Sequence, residues 1–331
     1  MTQAASPLAD PTPTRKRLAE WGDYFALLKP RVMSLVVFTA LSGYLCAGGD
    51  HNPILGALAI FAIGLGGGAA GALNMWYDAD IDGLMKRTQM RPVPAGLVHK
   101  DEALAMGLVM SFVSVILLAL TAKSYLAAGL LVFTIFFYAV VYSMWLKRST
   151  PQNIVIGGLA GALPPLVGWA AATGEMPFNA WLLVAIIFLW TPPHSWALAL
   201  YKSGDYAAAN VPMMPVAKGA ASTRLQMLIY SLILVPVAIV PVFTGLGGMI
   251  YGAVSVLTGV VFLLLAFRVY KSRAGDTDGR EEGRALYSDK APDNKPARDL
   301  FAFSLLYLTG LFAALLLEHG LGLYFPITGI S

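Results

Sequence analysis

Apolar residues in this chain run in continuous blocks, such as Leu126–Val141, and do not alternate with polar ones. A helix needs about 20 residues, rising 1.5 Å each, to cross about 30 Å of hydrocarbon. Nine blocks approach or reach that length, at about 32–48, 54–73, 101–121, 125–146, 152–172, 179–200, 223–244, 248–270 and 300–318. A membrane barrel would instead show ten-residue pieces of alternating polarity. The pattern therefore predicts an all-α polytopic bundle of nine transmembrane helices. Residues 1–28 read as a disordered tail, 29–320 as the membrane domain and 321–331 as a second tail. Polar loops fall at 74–100, 201–222 and 271–298, the last of them a charged, solvated linker. The first two lie four spans apart, and each has aspartate early and two closely spaced prolines late. That spacing suggests two four-helix halves plus a final helix.

Composition sharpens this picture. Hydrophobic residues make up 57% and charged residues 13%, against about 25% charged in soluble domains. A water-soluble enzyme is excluded, and so is general disorder. The one cysteine, Cys46, excludes a disulfide framework and any all-cysteine metal site. With the N-terminus inside, every one of the 23 basic residues except Lys123 falls on the cytoplasmic side. Positive charge is retained inside, which predicts N-in, C-out, with all three polar loops cytoplasmic. No apolar stretch follows the basic residues within the first thirty, and no transit-peptide pattern appears. A bacterial inner membrane is the expected location, the lipid bilayer is a partner, and nucleic acid is not.

Candidate chemistry sits in the first two loops. Asn74, Asp78 and Asp82 are spaced by four, so they drift only 40° per step around a helix continuing the second span. Asp80 lies 200° from Asp78 and points elsewhere. Three oxygen-bearing side chains on one stripe pack poorly but suit Mg²⁺, which completes its shell with phosphate oxygens. Arg87 and Arg91 follow directly, with guanidinium forks able to hold further phosphate oxygens. The plain alternative is a solvated helix end whose acids balance nearby bases. Asp205, with Lys202 beside it, is a candidate second ligand from the other loop. Tyr142, Lys147 and Arg148 by themselves form an ordinary aromatic, positive-inside boundary. In the sixth span, Pro192 and Pro193 are expected to break the helix. His194 beside them is either a functional group at membrane depth or a hydrogen-bonded structural histidine. Gly67, Gly71, Gly157 and Gly161 read as small residues that let helices approach.

The motif Asn74-x-x-x-Asp78-x-x-x-Asp82 resembles the first aspartate-rich motif of the UbiA-type intramembrane prenyltransferases. The run Met85–Pro92, Leu146–Gly158, Pro164–Trp169, Trp190–Leu200 and Asp205–Pro215 resemble the heme-farnesylating branch of that family. The similarity extends from about Leu28 to Leu317. The wider family commonly has two aspartates four apart in its second motif, whereas position 209 here is alanine, as in the heme branch. The resemblance implies transfer of farnesyl from farnesyl diphosphate to a vinyl group of heme B, with water addition, giving heme O and diphosphate. It implies Mg²⁺ held by Asn74, Asp78, Asp82 and Asp205. It also implies a leaving group neutralised by Arg87, Arg91, Lys147 and Arg148 with Tyr142, and His194 facing the heme. An enzyme that turns the product into heme A is an expected partner. Two other functions are compatible with the pattern: a sister prenyltransferase acting on a quinone-ring precursor, and a secondary transporter. A transporter predicts polar groups at mid-membrane, but the aspartates cluster at the cytoplasmic edge.

Overall fold

The computed structural model describes residues 18–49, 52–276 and 292–326. All regular structure among them is helical: α1 (Trp21–Leu27), α2 (Pro30–Cys46), α3 (Pro53–Tyr77), α4 (Ala79–Leu84), α5 (Lys100–Thr121), α6 (Tyr125–Leu146), α7 (Asn153–Ala162), α8 (Pro164–Thr173), α9 (Phe178–Tyr201), α10 (Ser203–Ala208), α11 (Met214–Lys218), α12 (Ala220–Phe243), α13 (Met249–Lys271) and α14 (Lys295–Leu315). Eight stretches are long and apolar enough to cross a membrane, with α7 and α8 together forming one. The pair α1 and α2, bent by 52°, makes a ninth. The helices begin where local chemistry satisfies free N–H groups. The Asn52 side chain accepts from the Ile54 and Leu55 amides ahead of α3, and Ser124 Oγ accepts from the Leu126 amide ahead of α6.

Successive helices pack side by side, with α3 on α5, α9 on α12 and α13 on α14, and α14 returns to α2. The bundle thus closes on itself. Its outer faces carry exposed apolar side chains such as Phe112, Leu257 and Leu306, as a lipid solvent requires. The tightest contact is between α2 and α8. A Cβ at Gly43 would lie 2.0 Å from the Pro165 carbonyl oxygen, and one at Gly168 would lie 2.1 Å from that of Ala40. Backbone meets backbone there, so only glycine fits. Of the glycines singled out from sequence, Gly67 and Gly157 do have close neighbours, Met33 and Tyr142. Gly71 has ordinary contacts and Gly161 meets open space.

Three expectations need correction. The sixth span is not broken: α9 passes through Pro192 and Pro193. The prolines deprive the Phe188 and Leu189 carbonyls of their helical donors, yet the helix runs on, with the Trp190 indole N–H donating to the Ser304 carbonyl of α14 at 2.8 Å. The break falls instead in the fifth span at Leu163, where α8 restarts with Pro164 in its first turn, the position that tolerates a missing N–H. Second, the expected disordered tail is helical over α1. Glu20 and Asp23 form a capping box, and Leu27 is buried with Ala72, Met75 and Val98; residues 1–17 lie outside the described residues. Third, the 271–298 linker is tied down at its described ends. Arg224 donates to the Ala274 carbonyl at 2.6 Å and to Asp276 at 2.7 Å, and the Gly275 amide donates to Asn294 Oδ1. Residues 277–291 and 327–331 lie outside the described residues.

The π-helical turn Leu316–Gly320, which follows α14, holds a buried acid. Glu318 has no solvent exposure, and its carboxylate accepts from the Gly248 amide at 2.7 Å and the Tyr251 amide at 2.9 Å. It serves as a cap borrowed by the N-terminus of α13, where a negative charge also complements the helix dipole. Removing it leaves two buried N–H groups unpaired, at a cost of about 1–3 kcal/mol. Glu318→Ala is expected to lower the melting temperature of the detergent-solubilised protein, and Glu318→Gln, which keeps an acceptor, to lower it less. Equal melting of both variants and the parent would show that the cap contributes nothing.

Candidate active site

Helix α3 ends at Tyr77, yet its hydrogen-bond register runs on. The Asp78 amide donates to the Asn74 carbonyl at 2.9 Å and the Asp82 amide to the Asp78 carbonyl at 2.8 Å. The stripe predicted from spacing therefore survives into α4. Asn74, Asp78 and Asp82 are almost wholly buried, whereas the Asp80 side chain is 62% exposed. Isolated buried carboxylates are costly, and each here has a cation. Lys147 Nζ pairs with Asp78 Oδ2, and Arg91 Nη1 lies 2.6 Å from Asp82 Oδ2. Asn74 links the two sides of the site. Its Nδ2 donates to Asp78 Oδ2 at 2.7 Å and to Ser143 Oγ at 2.8 Å, and its Oδ1 accepts from Lys29 Nζ at 2.5 Å.

Lys147 reaches this site because the second part of α6, Phe137–Leu146, is a π-helix. The Lys147 amide donates to the carbonyl five residues back, that of Tyr142, at 2.8 Å. Widened turns of this kind recur at functional sites. Here the widened turn brings Tyr138, Tyr142, Ser143 and Lys147 toward the end of α3. The two tyrosine rings pack 5.4 Å apart between centroids, and Gly157 makes room for the Tyr142 ring.

Three neighbouring spaces, which share wall residues, surround these groups. A polar cavity of about 130 Å³ is lined by Lys29, Asn74, Asp82, Arg87, Arg91, Lys147 and three tyrosines, Tyr138, Tyr142 and Tyr206. Cations outnumber acids on its wall, which suits a polyanion. An apolar space of about 230 Å³ runs between α2, α3, α6 and α7–α8 and shares Lys29, Arg91 and Tyr138 with it. A larger space of about 800 Å³, between α2, α7, α9 and α14, shares Tyr138, Tyr142 and Ile154 with the polar cavity. An apolar groove of about 820 Å³ between α2 and α3 shares no lining residue with the polar cavity and carries no charged group.

The other residues picked from sequence fall as follows. Arg148 does not line the polar cavity. It makes two 2.7 Å hydrogen bonds to Asp80, lies over the Tyr77 ring at 4.9 Å and stands 3.5 Å from Asp78 Oδ1. Its guanidinium holds the Asp80 carboxyl below the usual range, and Asp80 in turn raises Arg148. Lys202 and Asp205 stand at the start of α10; Tyr206, their neighbour, reaches the cavity wall. His194 lines the space of about 800 Å³, stacked between Trp190 at 4.1 Å and Phe301 at 4.7 Å, with Nδ1 2.6 Å from Ser304 Oγ. Its Nε2 makes no hydrogen bond among the described residues. Lys29, Tyr138, Ser143 and Tyr206 were not picked from sequence. Tyr138, four residues before Tyr142, was the nearest to a readable signal.

The fit to Mg²⁺ rests on donor atoms. Among the described residues no three of His, Cys, Asp and Glu gather into a protein-only cage. Asp78 Oδ1, Asp82 Oδ1 and Asp205 Oδ2 are nonetheless buried without a hydrogen-bond partner. Asp82 lines the cation-rich cavity and Asp78 pairs with Lys147 on its wall, whereas Asp205 is not part of that wall; free oxygens on the first two suit a hard ion that takes one or two protein carboxylates and completes its shell with substrate phosphate.

A model of the UbiA prenyltransferase family matches residues 36–286. The chain is 63% identical over 309 residues to the protoheme IX farnesyltransferase of Maricaulis maris, covering 93% of each. It is also 63% identical over 317 residues to that of Caulobacter vibrioides, covering 94% of this chain and 95% of the other. Among solved structures it resembles a digeranylgeranylglyceryl phosphate synthase, with TM-score 0.69 and 17% identity over 89% of this chain and 97% of that one. It also resembles a UbiA homolog from Archaeoglobus fulgidus bound to GPP and Mg²⁺, with TM-score 0.60 and 17% identity over 88% and 99%. At those identities the structural likeness is one of fold. With the family model and the near full-length relatives in agreement, the chain belongs to the UbiA prenyltransferase family and is a multi-pass membrane prenyltransferase similar over nearly its whole length to members named protoheme IX farnesyltransferase.

Proposed function

We propose that this enzyme transfers the farnesyl group of farnesyl diphosphate to a vinyl group of heme B, giving heme O and diphosphate. One observation carries the proposal: a cation-lined cavity shares wall residues both with an apolar space suited to a prenyl chain and with a much larger space lined by glycines and aromatic rings. The names of the relatives from Maricaulis and Caulobacter support heme as acceptor. The A. fulgidus homolog, bound to GPP and Mg²⁺, supports the donor side.

Arg87, Arg91 and Lys147 bind the diphosphate, with Lys29 at the tunnel side and Tyr142 beside it. Arg148, held by Asp80, and Lys202 add positive field from behind. Asn74, Asp78 and Asp82, with Asp205, would hold Mg²⁺, which when bound acts as a Lewis acid on the leaving diphosphate. The buried walls exclude water from the donor, and Trp190, His194 and Phe301 present a flat stacked surface to the acceptor, with His194 Nε2 facing the heme. The C1–O bond breaks and its electron pair leaves with diphosphate. The vinyl π pair bonds to C1, and water captures the resulting benzylic-type cation and loses a proton, leaving a hydroxyethylfarnesyl substituent. We place the site at the cytoplasmic face of a bacterial inner membrane, and the enzyme that consumes heme O for heme A is the natural partner.

Three outcomes follow. Asp78→Asn and Asp82→Asn are expected to lose about 10²–10³ in turnover, the loss typical when one group stabilising a leaving-group charge is removed. Asp80→Asn should stay within about tenfold of the parent, since it acts only through Arg148; assays across a Mg²⁺ titration check this, with melting curves to verify folding. Purified enzyme given farnesyl diphosphate and Mg²⁺ should farnesylate heme B and leave 4-hydroxybenzoate untouched, as read by mass spectrometry of the extracts. Prenylation of the benzoate alone would transfer the assignment to a quinone pathway. Finally, cysteines placed at the exposed Gln89 and Asn210 of a Cys46→Ala protein should react with an impermeant maleimide only in inside-out vesicles. Labelling of either in intact cells would invert the topology.

A further inference from the structure

Tyr138 is the one residue shared by all three spaces: the polar cavity, the apolar tunnel and the large acceptor space. A prenyl diphosphate with its charged head in the first and its chain in the second must pass its C1 carbon through their junction. An acceptor in the third meets that junction at Tyr138, the wall residue common to all three. The residue at that junction therefore stands beside the reacting carbon. Its ring already presents a face to positive charge, since Lys29 Nζ lies 6.0 Å from the ring centroid. Its hydroxyl makes no hydrogen bond among the described residues, so the feature the fold preserves is the ring.

We propose that Tyr138 is a catalytic residue whose π face stabilises the allylic cation formed at C1 and C3. The proposal rests on the prenyl-transfer chemistry of the site. As C1–O breaks, the electron pair departs on the diphosphate oxygen and the positive charge spreads over the allyl unit. The ring forms no bond and moves no proton; it lowers the energy of that charge through its quadrupole. An aromatic face against a desolvated cation is worth a rate factor of about thirtyfold. The π-helical turn, which sets Tyr138 against Tyr142 and keeps Lys147 on Asp78, holds the ring at the junction.

The test replaces Tyr138 in the full-length protein, reconstituted in lipid nanodiscs, with phenylalanine, with mono-, di- and trifluorophenylalanine, and with leucine. Each variant is assayed for kcat with farnesyl diphosphate and heme B, for affinity toward the non-ionising farnesyl thiodiphosphate, and for melting temperature. Tyr138→Phe should keep kcat within about fivefold. Log kcat should then fall linearly with the number of fluorines, and Tyr138→Leu should lose about thirtyfold, while thiodiphosphate affinity stays within about twofold of the parent. A flat fluorine series, or a loss of thiodiphosphate affinity parallel to the loss of kcat, would overturn the proposal and make the ring a wall or a binding group. If the parent prenylates only the benzoate, the choice of heme as acceptor fails independently, and the same series on that acceptor still decides the role of the ring.

Discussion

Burial of two carboxylates at one helix end governs the architecture around it. Asp78 and Asp82 have no exposed surface, and an unpaired buried charge costs several kcal/mol, so each must be met by a cation. The cations come from segments far apart in sequence: Lys147 from the end of α6 and Arg91 from the loop beyond α4. Lys29 joins through Asn74 from the elbow between α1 and α2. Those constraints fix where the first span bends and hold Lys29 in the left-handed region at φ 52°, a backbone state that persists only when its surroundings enforce it. They also favour an α6 that is not a plain α-helix.

The pairing has a second effect. Apart from Arg148, the cations that neutralise the acids also line the polar cavity. The groups that stabilise the protein are therefore the groups offered to an incoming anion. Arg148 has a different place: paired with the exposed Asp80 and stacked on Tyr77, it braces the junction of α3, α4 and the end of α6 from the solvent side.

Much of this is legible in the chain because the dominant signals are local. Continuous apolar blocks mark the spans, and a four-residue spacing marks Asn74, Asp78 and Asp82 as one face. That face holds because the backbone keeps its i to i−4 bonds across the junction with α4. The errors arise where a remote partner decides the outcome. Pro192 and Pro193 read as a break, but α9 runs through them, tied to α14 by the Trp190 bond to the Ser304 carbonyl. Trp21–Leu27 reads as tail because nothing nearby reveals that Ala72 and Met75 will cover Leu27. Gly161 looks like a packing glycine and instead leaves open space on a cavity wall. Lys29 looks like one more positive-inside residue, since only the folded chain brings it to Asn74.

The π-helical stretch of α6 carries a consequence for comparing this chain with its family. Lys147 lies five positions after Tyr142, which in an α-helix at 100° per residue would set them about 140° apart. In the wider turn they are joined by a backbone hydrogen bond and lie on the same side. A relative with one residue fewer in this segment could present the same tyrosine and lysine from an ordinary α-helix. Alignments that forbid a gap inside a transmembrane helix would then pair every following residue of the span with the wrong counterpart.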